Sequence, residues 1–353
     1  MAGAGQAEAE GNNQKAFLSR QSDGLVGNQK KVVCYRRNRH LAGIRRQRIG
    51  NRMENQQINN PKIVFMGTPE FGALILEKLI EGGYKPVLVV TVPDKPSGRK
   101  QQLTPPAVKI TALKHGIETI QPEKLKDAKE KIKSFQPDLI ITAAYSKILP
   151  DEIIGLLEKG CINVHPSLLP KHRGPSPVQQ TILDGDKKTG VTIMLMDSQI
   201  DHGPILAQEE TEIKQGETAS ELHGRLAEIG GKLLLKIIPE WMAGTIKAVS
   251  QDDEAATYTK IIKREDGKID WQNPPEKIER KIRAFSPWPG AYTFWNKNGK
   301  TSRLKILKAR MEDGKLTLEE VQPEGKKPMG FGEFLRGNPE FARNKEICSR
   351  IQI

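Results

Sequence analysis

The sequence predicts an α/β protein in which a doubly wound, mainly parallel sheet is followed by a second, smaller β-rich domain. Three observations carry this reading. Short β-branched runs alternate with helical stretches from Lys62 to about Pro239. Those runs are apolar on both faces, as strands covered by helices on both sides must be. From about residue 262 the texture changes to short strands, turns and basic residues, with Trp271, Trp288 and Trp295 spread among them. A length of 353 residues suits two domains, and 37% hydrophobic with 28% charged residues suits a soluble chain with a sizeable core.

Residues 1–60 are rich in Asn, Gln, Gly and Arg and lack sustained periodicity, so they read as a disordered basic tail. Eleven Lys and Arg against three acidic residues place most of the net charge of +13 within residues 1–52. The body alone therefore permits a polyanionic partner without demanding one. The tail could be a nucleic-acid-binding arm, an Arg-rich targeting segment, or a dispensable extension ahead of Met53. KIVFMG forms the first strand, ending at Gly67, and Thr68 and Pro69 start the helix containing LILEKLI. The second strand is VLVVTVPD, closed by the loop PDKPSGRKQQLTPP. DLIITAAY, GCINVH and TGVTIMLM are the third, fourth and fifth, with helical segments such as AVKITALKHG and EKLKDAKEKIKSF between them. Thr218 caps a long helix whose core positions are Leu222, Leu226, Ile229, Leu233 and Ile237, and Pro239 is expected to end it. Residues 61–245 then form the first domain, 246–261 a linker and 262–353 the second domain.

No apolar run approaches the roughly 20 residues needed to cross a bilayer. The N-terminal stretch has no basic patch followed by an apolar core, so no secretory leader is expected. Cys34, Cys161 and Cys348 lack metal or disulfide spacing, which makes a reduced, cytoplasmic protein the default. Ligands of open parallel sheets gather at the carboxyl ends of strands. The fourth strand ends in Asn163-Val164-His165, so Asn163 and His165 leave one face, and Asp201 follows the fifth strand in SQIDHG. An amide, an imidazole and a carboxylate meeting there can polarise a carbonyl, stabilise its oxyanion and take up a proton. Spacing alone leaves them candidates, since the same residues could serve a rigid strand-to-helix connection. The following PSLLPKHRGPSPV holds four prolines and is stiff enough to wall a pocket. His172 and His202 stand near this place without a partner legible in the sequence, and His40, His115 and His223 lack such a setting. Residues 67–72, GTPEFG, are not GxGxxG, and Asp94 lies past its strand, so no nicotinamide cofactor is expected.

From about residue 62 to 309 the chain resembles the methionyl-tRNA formyltransferase family. The resemblance rests on IVFMGTPEFG, the PDKPSGRKQQLTPPAVK loop, AAYSKILP, CINVHPSLLPKHRGPSPVQQTILDGD, TGVTIMLMDSQIDHGPIL, TYTKIIKREDGKIDW and IRAFSPWPGAY. It implies a formyltransferase-like variant of the Rossmann sheet with a small OB-like second domain. It implies transfer of the formyl group of 10-formyltetrahydrofolate to the α-amino group of initiator methionyl-tRNA, without a metal and by a monomer. Asn163, His165 and Asp201 would be its catalytic residues, and Ser167, Leu168, Leu169 and Pro170 its folate segment. Lys95, Arg99 and Lys100 would belong to the basic insertion that meets tRNA. Ser146 stands where the family usually has Gly, and Pro166 where it often has a small residue. After LKILKA the chain moves almost directly to the closing segment, so the OB-like domain is expected to be shortened, with fewer strands than a full barrel. Two other readings compete: a folate-dependent enzyme acting on an amino-sugar nucleotide or other small amine, and a tRNA-binding protein without activity.

Overall fold

The computed structural model describes residues 32–34, 60–98, 101–297 and 299–352. The remainder of the expected basic tail, with Arg99 and Lys100, lies outside the described residues. After a short strand β1 (Val32–Cys34), β2 (Ile63–Gly67) leads into α1 (Glu70–Glu81) and β3 (Leu88–Val90). Then come β4 (Lys95–Ser97), β5 (Gln102–Thr104), α2 (Ala107–Lys114), β6 (Thr119–Ile120), α3 (Lys129–Ser134) and β7 (Leu139–Ala143). The first half closes with α4 (Asp151–Ile154), β8 (Cys161–His165), α5 (Pro177–Asp184), β9 (Lys188–Leu195), β10 (Ile205–Glu212) and α6 (Ala219–Met242).

Eight of these strands form one sheet in the order β1-β10-β9-β8-β7-β2-β3-β6. Neighbours from β8 to β6 are parallel, whereas β9, β10 and β1 are added antiparallel. Alternation along the strands divides the core cleanly. Ile63, Phe65, Leu139, Ile141, Ile162 and Val164 join the layer packed with α1 and α6. Val64, Met66, Ile140 and Cys161 join the layer that includes Ile132 and Ile153. Asn163 and His165 therefore share the side of Cys161, where the parallel strands end. Gly67 and Gly72 let α1 settle on the sheet: a Cβ on either would stand 2.9 or 2.6 Å from the Ala143 carbonyl oxygen. These glycines serve packing, which accounts for the motif without a dinucleotide.

Four elements depart from the sequence reading. The fifth expected strand, β9, runs antiparallel to β8, and the loop after it returns the chain as an antiparallel partner, β10. That partner, ILAQEETE, carries three glutamates, yet Glu209 on it is buried. The expected loop after β3 is a β4–β5 hairpin, with Lys95 opposite Thr104 and Gly98 and Gln101 at positive φ near the tip. Finally, α6 runs through Pro239 to Met242. A proline this late forfeits one backbone bond only, and the last turn is held by Ala243 N–H to Pro239 O and by the Trp241 indole to Lys159 O.

The second domain holds α7 (Pro275–Ala284), β11 (Ala291–Lys297), β12 (Lys300–Glu312), β13 (Lys315–Pro323), β14 (Met329–Gly330), α8 (Phe331–Arg336), α9 (Lys345–Cys348) and β15 (Ile351–Gln352). Its strands pair as β11-β12-β13-β14, with β15 parallel to β13. Among the described residues no pairing joins β11 to β14 or β15, so this sheet is curled without being closed. Trp295, Phe331, Phe334 and Phe341 fill its interior together with Ile278 and Ile282 of α7. Among the described residues no helix is long and apolar enough to cross a membrane.

Pro239 is exposed and gives little packing to the core. Pro239→Ala restores a donor to the Leu235 carbonyl and is expected to raise stability by roughly 1 kcal/mol, the helix gain being partly offset by a freer unfolded chain. Chemical denaturation measures this, and a loss of stability would show that the proline holds the end of α6 in place.

Candidate active site

β8 places Asn163 and His165 on one face, and the loop between β9 and β10 brings Asp201 to them. The Asn163 amide nitrogen lies 3.4 Å from Asp201 Oδ1, and His165 Nδ1 lies 3.5 Å from the same oxygen. Thr142, opposite Asn163 on β7, donates its hydroxyl to Asn163 Oδ1 at 2.9 Å. The two ends of the amide are thereby sorted: its oxygen turns to a hydroxyl and its NH2 to a carboxylate. A flipped amide would set oxygen against oxygen at Asp201.

His165 is buried, and its Nε2 lies 3.0 Å from the His172 carbonyl. A carbonyl only accepts, so Nε2 carries a hydrogen, and Nδ1 can donate only when the ring is an imidazolium. Asp201 itself has φ of +48°. Its Oδ2 takes the Gly174 N–H at 2.8 Å, and its carbonyl takes the Gln251 amide at 2.9 Å. Gly174 must be glycine on two counts: φ is +110°, and a Cβ there would stand 2.9 Å from Thr259 Oγ1. The Asn163 NH2 and His165 Nδ1 thus converge on one carboxylate oxygen of Asp201, bringing together an amide, an imidazole and a carboxylate, groups able to stabilise an oxyanion and take up a proton.

The segment Ser167, Leu168, Leu169, Pro170 is fixed mostly through its backbone. Thr192 donates to Ser167 O at 2.7 Å and accepts from Leu169 N–H at 3.1 Å. Gln208 adds a bond to Leu169 O at 2.8 Å and another to Thr192 Oγ1. Ser167 is fully buried, with its hydroxyl given to Lys171 O, so the residues of this segment left half-buried are Leu168 and Pro170. Lys95 is exposed on β4, next to β5 with its exposed Leu103. Asp94 at the base of the hairpin is bound by Lys109 and Gln121, and the Lys109 ammonium holds its carboxyl below the usual range. It ties the base of the hairpin to α2 and to the residue after β6. Ser146 is exposed, its N–H directed to Thr68 Oγ1 at 3.3 Å.

Several residues here were not legible in the sequence. His172 has Asp186 at 2.8 Å, and His202 has Asp197 at 2.6 Å and Asp253 at 3.4 Å. Thr142, Thr192, Arg173 and Gln251 support the site over separations that no local pattern marks. Cys161, beside Asn163, is no nucleophile: burial pushes its thiol up to about 12.

Known proteins match both halves of the chain. A family model described as formyl transferase matches residues 61–238, and one described as formyl transferase, C-terminal domain, matches residues 261–317. The methionyl-tRNA formyltransferase of Halalkalibacterium halodurans is 44% identical over 301 residues, covering 78% of this chain and 94% of its own. That of Geobacillus sp. (strain WCH70) is 45% identical over 299 residues, with the same coverage of 78% and 94%. Among solved structures, the N-formyltransferase from Helicobacter canadensis, in complex with folinic acid and dTDP-3-aminofucose, aligns with a TM-score of 0.55 at 22% identity, covering 72% of this chain and 89% of its own. The methionyl-tRNA formyltransferase from Clostridium thermocellum aligns with a TM-score of 0.51 at 22% identity, covering 74% and 98%. At such identities the two structures speak for the fold.

His202 sits between two carboxylates, and its hydrogen bond to Asp197 raises its pKa above the ordinary histidine value. A raised folded-state pKa gives stability that is complete below the unfolded value and is lost as pH rises through the folded one. Asp197→Asn is therefore expected to cost more stability at about pH 5.5 than at about pH 8.5, and to lower the His202 titration midpoint followed by NMR. Equal costs at the two pH values would contradict the ion pair.

Proposed function

The chain belongs to the methionyl-tRNA formyltransferase family, and on that premise we propose that it moves the formyl group of 10-formyltetrahydrofolate onto the α-amino group of initiator methionyl-tRNA. It would do so as a monomer in the cytoplasm, in support of translation initiation. The observation that carries this reading is the meeting of Asn163, His165 and Asp201 at the carboxyl end of β8.

Asp201 accepts a proton from the attacking amine and orients His165. The Asn163 NH2, turned to the site by Thr142, donates to the formyl oxygen as it becomes an oxyanion. His165 donates to the same oxygen from Nδ1 as an imidazolium, its Nε2 being anchored on the His172 carbonyl. When the tetrahedral species collapses, its bond to the donor nitrogen breaks, and that nitrogen leaves with the proton that Asp201 took from the amine. The Ser167–Pro170 segment, held by Thr192 and Gln208, supplies the wall against which the folate donor rests. Lys95, Arg99 and Lys100 would meet the acceptor end of the tRNA.

Replacing Asn163, His165 or Asp201 with alanine is expected to lower kcat by at least about 100-fold. Near wild-type turnover in all three variants would remove these roles. The acceptor is decided by a formyl-transfer assay comparing methionyl-tRNA, free methionine and an amino-sugar nucleotide, and activity on the small amines alone would sink the tRNA assignment. Neutral replacements at Lys95, Arg99 and Lys100 are expected to weaken tRNA binding and to flatten its salt dependence by about one unit of slope for each phosphate no longer neutralised. An unchanged slope would place them outside the interface.

A further inference from the structure

The segment joining the two domains does more than connect them. Residues 249–259 run from the start of β10 along the Pro-rich loop after β8 and are bonded to both. Val249 pairs with Ile205. Thr257 exchanges backbone bonds with Pro170 and Arg173, and Thr259 N–H donates to Arg173 O at 2.7 Å. At the centre of this strap is Gln251. Its amide oxygen accepts from Arg173 Nε at 3.1 Å and from a terminal guanidinium nitrogen at 2.9 Å. Its amide nitrogen donates to Asp201 O at 2.9 Å and to Gly203 O at 2.8 Å. A guanidinium can only donate and the two carbonyls can only accept, so the amide has one possible orientation.

We infer that Gln251 is a positioning residue for the transfer reaction, holding the Asp201 backbone so that its carboxylate meets Asn163 and His165. The inference rests on the catalytic reading of Asp201 given above. Asp201 adopts φ of +48°, a conformation uncommon for a residue with a side chain and one that its surroundings must sustain. Its carboxylate is tied by Gly174 on one side, and its carbonyl is tied by Gln251 on the other. Release of the carbonyl frees the peptide to relax, and a shift of about 1 Å moves the carboxylate off both partners. Gln251 touches none of the three reacting side chains, so its effect on the reaction passes through Asp201.

Gln251→Glu separates the two halves of the amide. The carboxylate keeps Arg173 but sets an oxygen against the carbonyls of Asp201 and Gly203. In the full-length chain, kcat is expected to fall about ten- to hundredfold, the scale of a misplaced catalytic group, while KM for the folate donor and for tRNA stays within about twofold. Glu254→Gln, an exposed change of the same size on the same segment, is expected to leave kcat unchanged. In an Asp201→Ala background, Gln251→Glu is expected to cost nothing further in single-turnover rate. Gln251→Asn, too short to reach both Arg173 and the carbonyls, carries the same test if the glutamate variant does not fold. Near wild-type kcat for a folded Gln251 variant, or a full additional loss in the Asp201→Ala background, overturns the inference. Wild-type activity of Asp201→Ala itself would instead overturn the catalytic reading on which it rests.

Discussion

A guanidinium removed from water must find acceptors for its donors, because an unpaired buried charge costs several kcal/mol. Arg173, at 1% exposure, is the largest fully buried side chain described, and its acceptors are Gln251, Asp253 and the Tyr258 hydroxyl. All three lie on the segment between the domains. Satisfying Arg173 therefore draws that segment onto the loop after β8, and the rest of the site is assembled against it. Thr257 and Thr259 then find backbone partners in the loop, Gly174 is brought against Thr259, and its N–H is left pointing at Asp201. Had Arg173 been a hydrophobic residue, the loop could pack well without specifying where residues 249–259 run.

The polar layer around the Ser167–Pro170 segment has the same logic on a smaller scale. Thr192 spends one donor and two acceptor positions on Ser167, Leu169 and Gln208, which leaves its buried hydroxyl fully used. Leu169 is pressed into a small cluster with Met194 and Ile205. A loop so constrained has little freedom to lose when a ligand arrives, and pre-organisation of this kind lowers the entropic cost of binding. The Ser167–Pro170 segment is held in place by β9 and β10, whose antiparallel arrangement brings Thr192 and Gln208 to the same edge.

How far the sequence could be read follows from how local each signal is. β2, β7 and β8 are apolar runs covered on both faces, and the alternation that placed Asn163 and His165 on one side depends on backbone geometry alone. β10 was missed because its glutamates mask an apolar start at Ile205, Leu206 and Ala207. The three residues of β1 took their order from pairing with Glu209, Gln208 and Ala207, a long-range pairing that leaves no periodicity in a short strand. Reading Pro239 as a stop applied a rule for helix interiors to a last turn, where the missing donor matters less. The partners of the site are harder still. Thr142 is 21 residues from Asn163 and Gln251 is 50 from Asp201, and single threonines and glutamines carry no pattern. What could be read was chemistry concentrated in a motif, and what could not was chemistry that only the fold brings together.

The C-terminal domain shows how an open, curled sheet can still close a core. Its sheet stays open among the described residues, and β14 and β15 are two residues each, so hydrogen bonding alone leaves the interior exposed. Aromatic volume makes up the difference. Trp295 lies edge-on to Phe334 and Phe341 at 5.4 and 5.5 Å, and Phe334 meets Phe341 at 5.2 Å. Edge-to-face pairs of this kind contribute roughly 0.5–1.5 kcal/mol each beyond the area they bury. The rings come from β11, from α8 and from the turn after it, so short segments that could not pair as strands are gathered by their side chains. Core formation here depends on those rings more than on a closed ladder, which lets the sheet keep a free edge while α7 carries Ile278 and Ile282 into the same core. That helix also packs against α5 of the catalytic domain, so the aromatic cluster that stabilises the small domain also fixes the helix by which it joins the larger one.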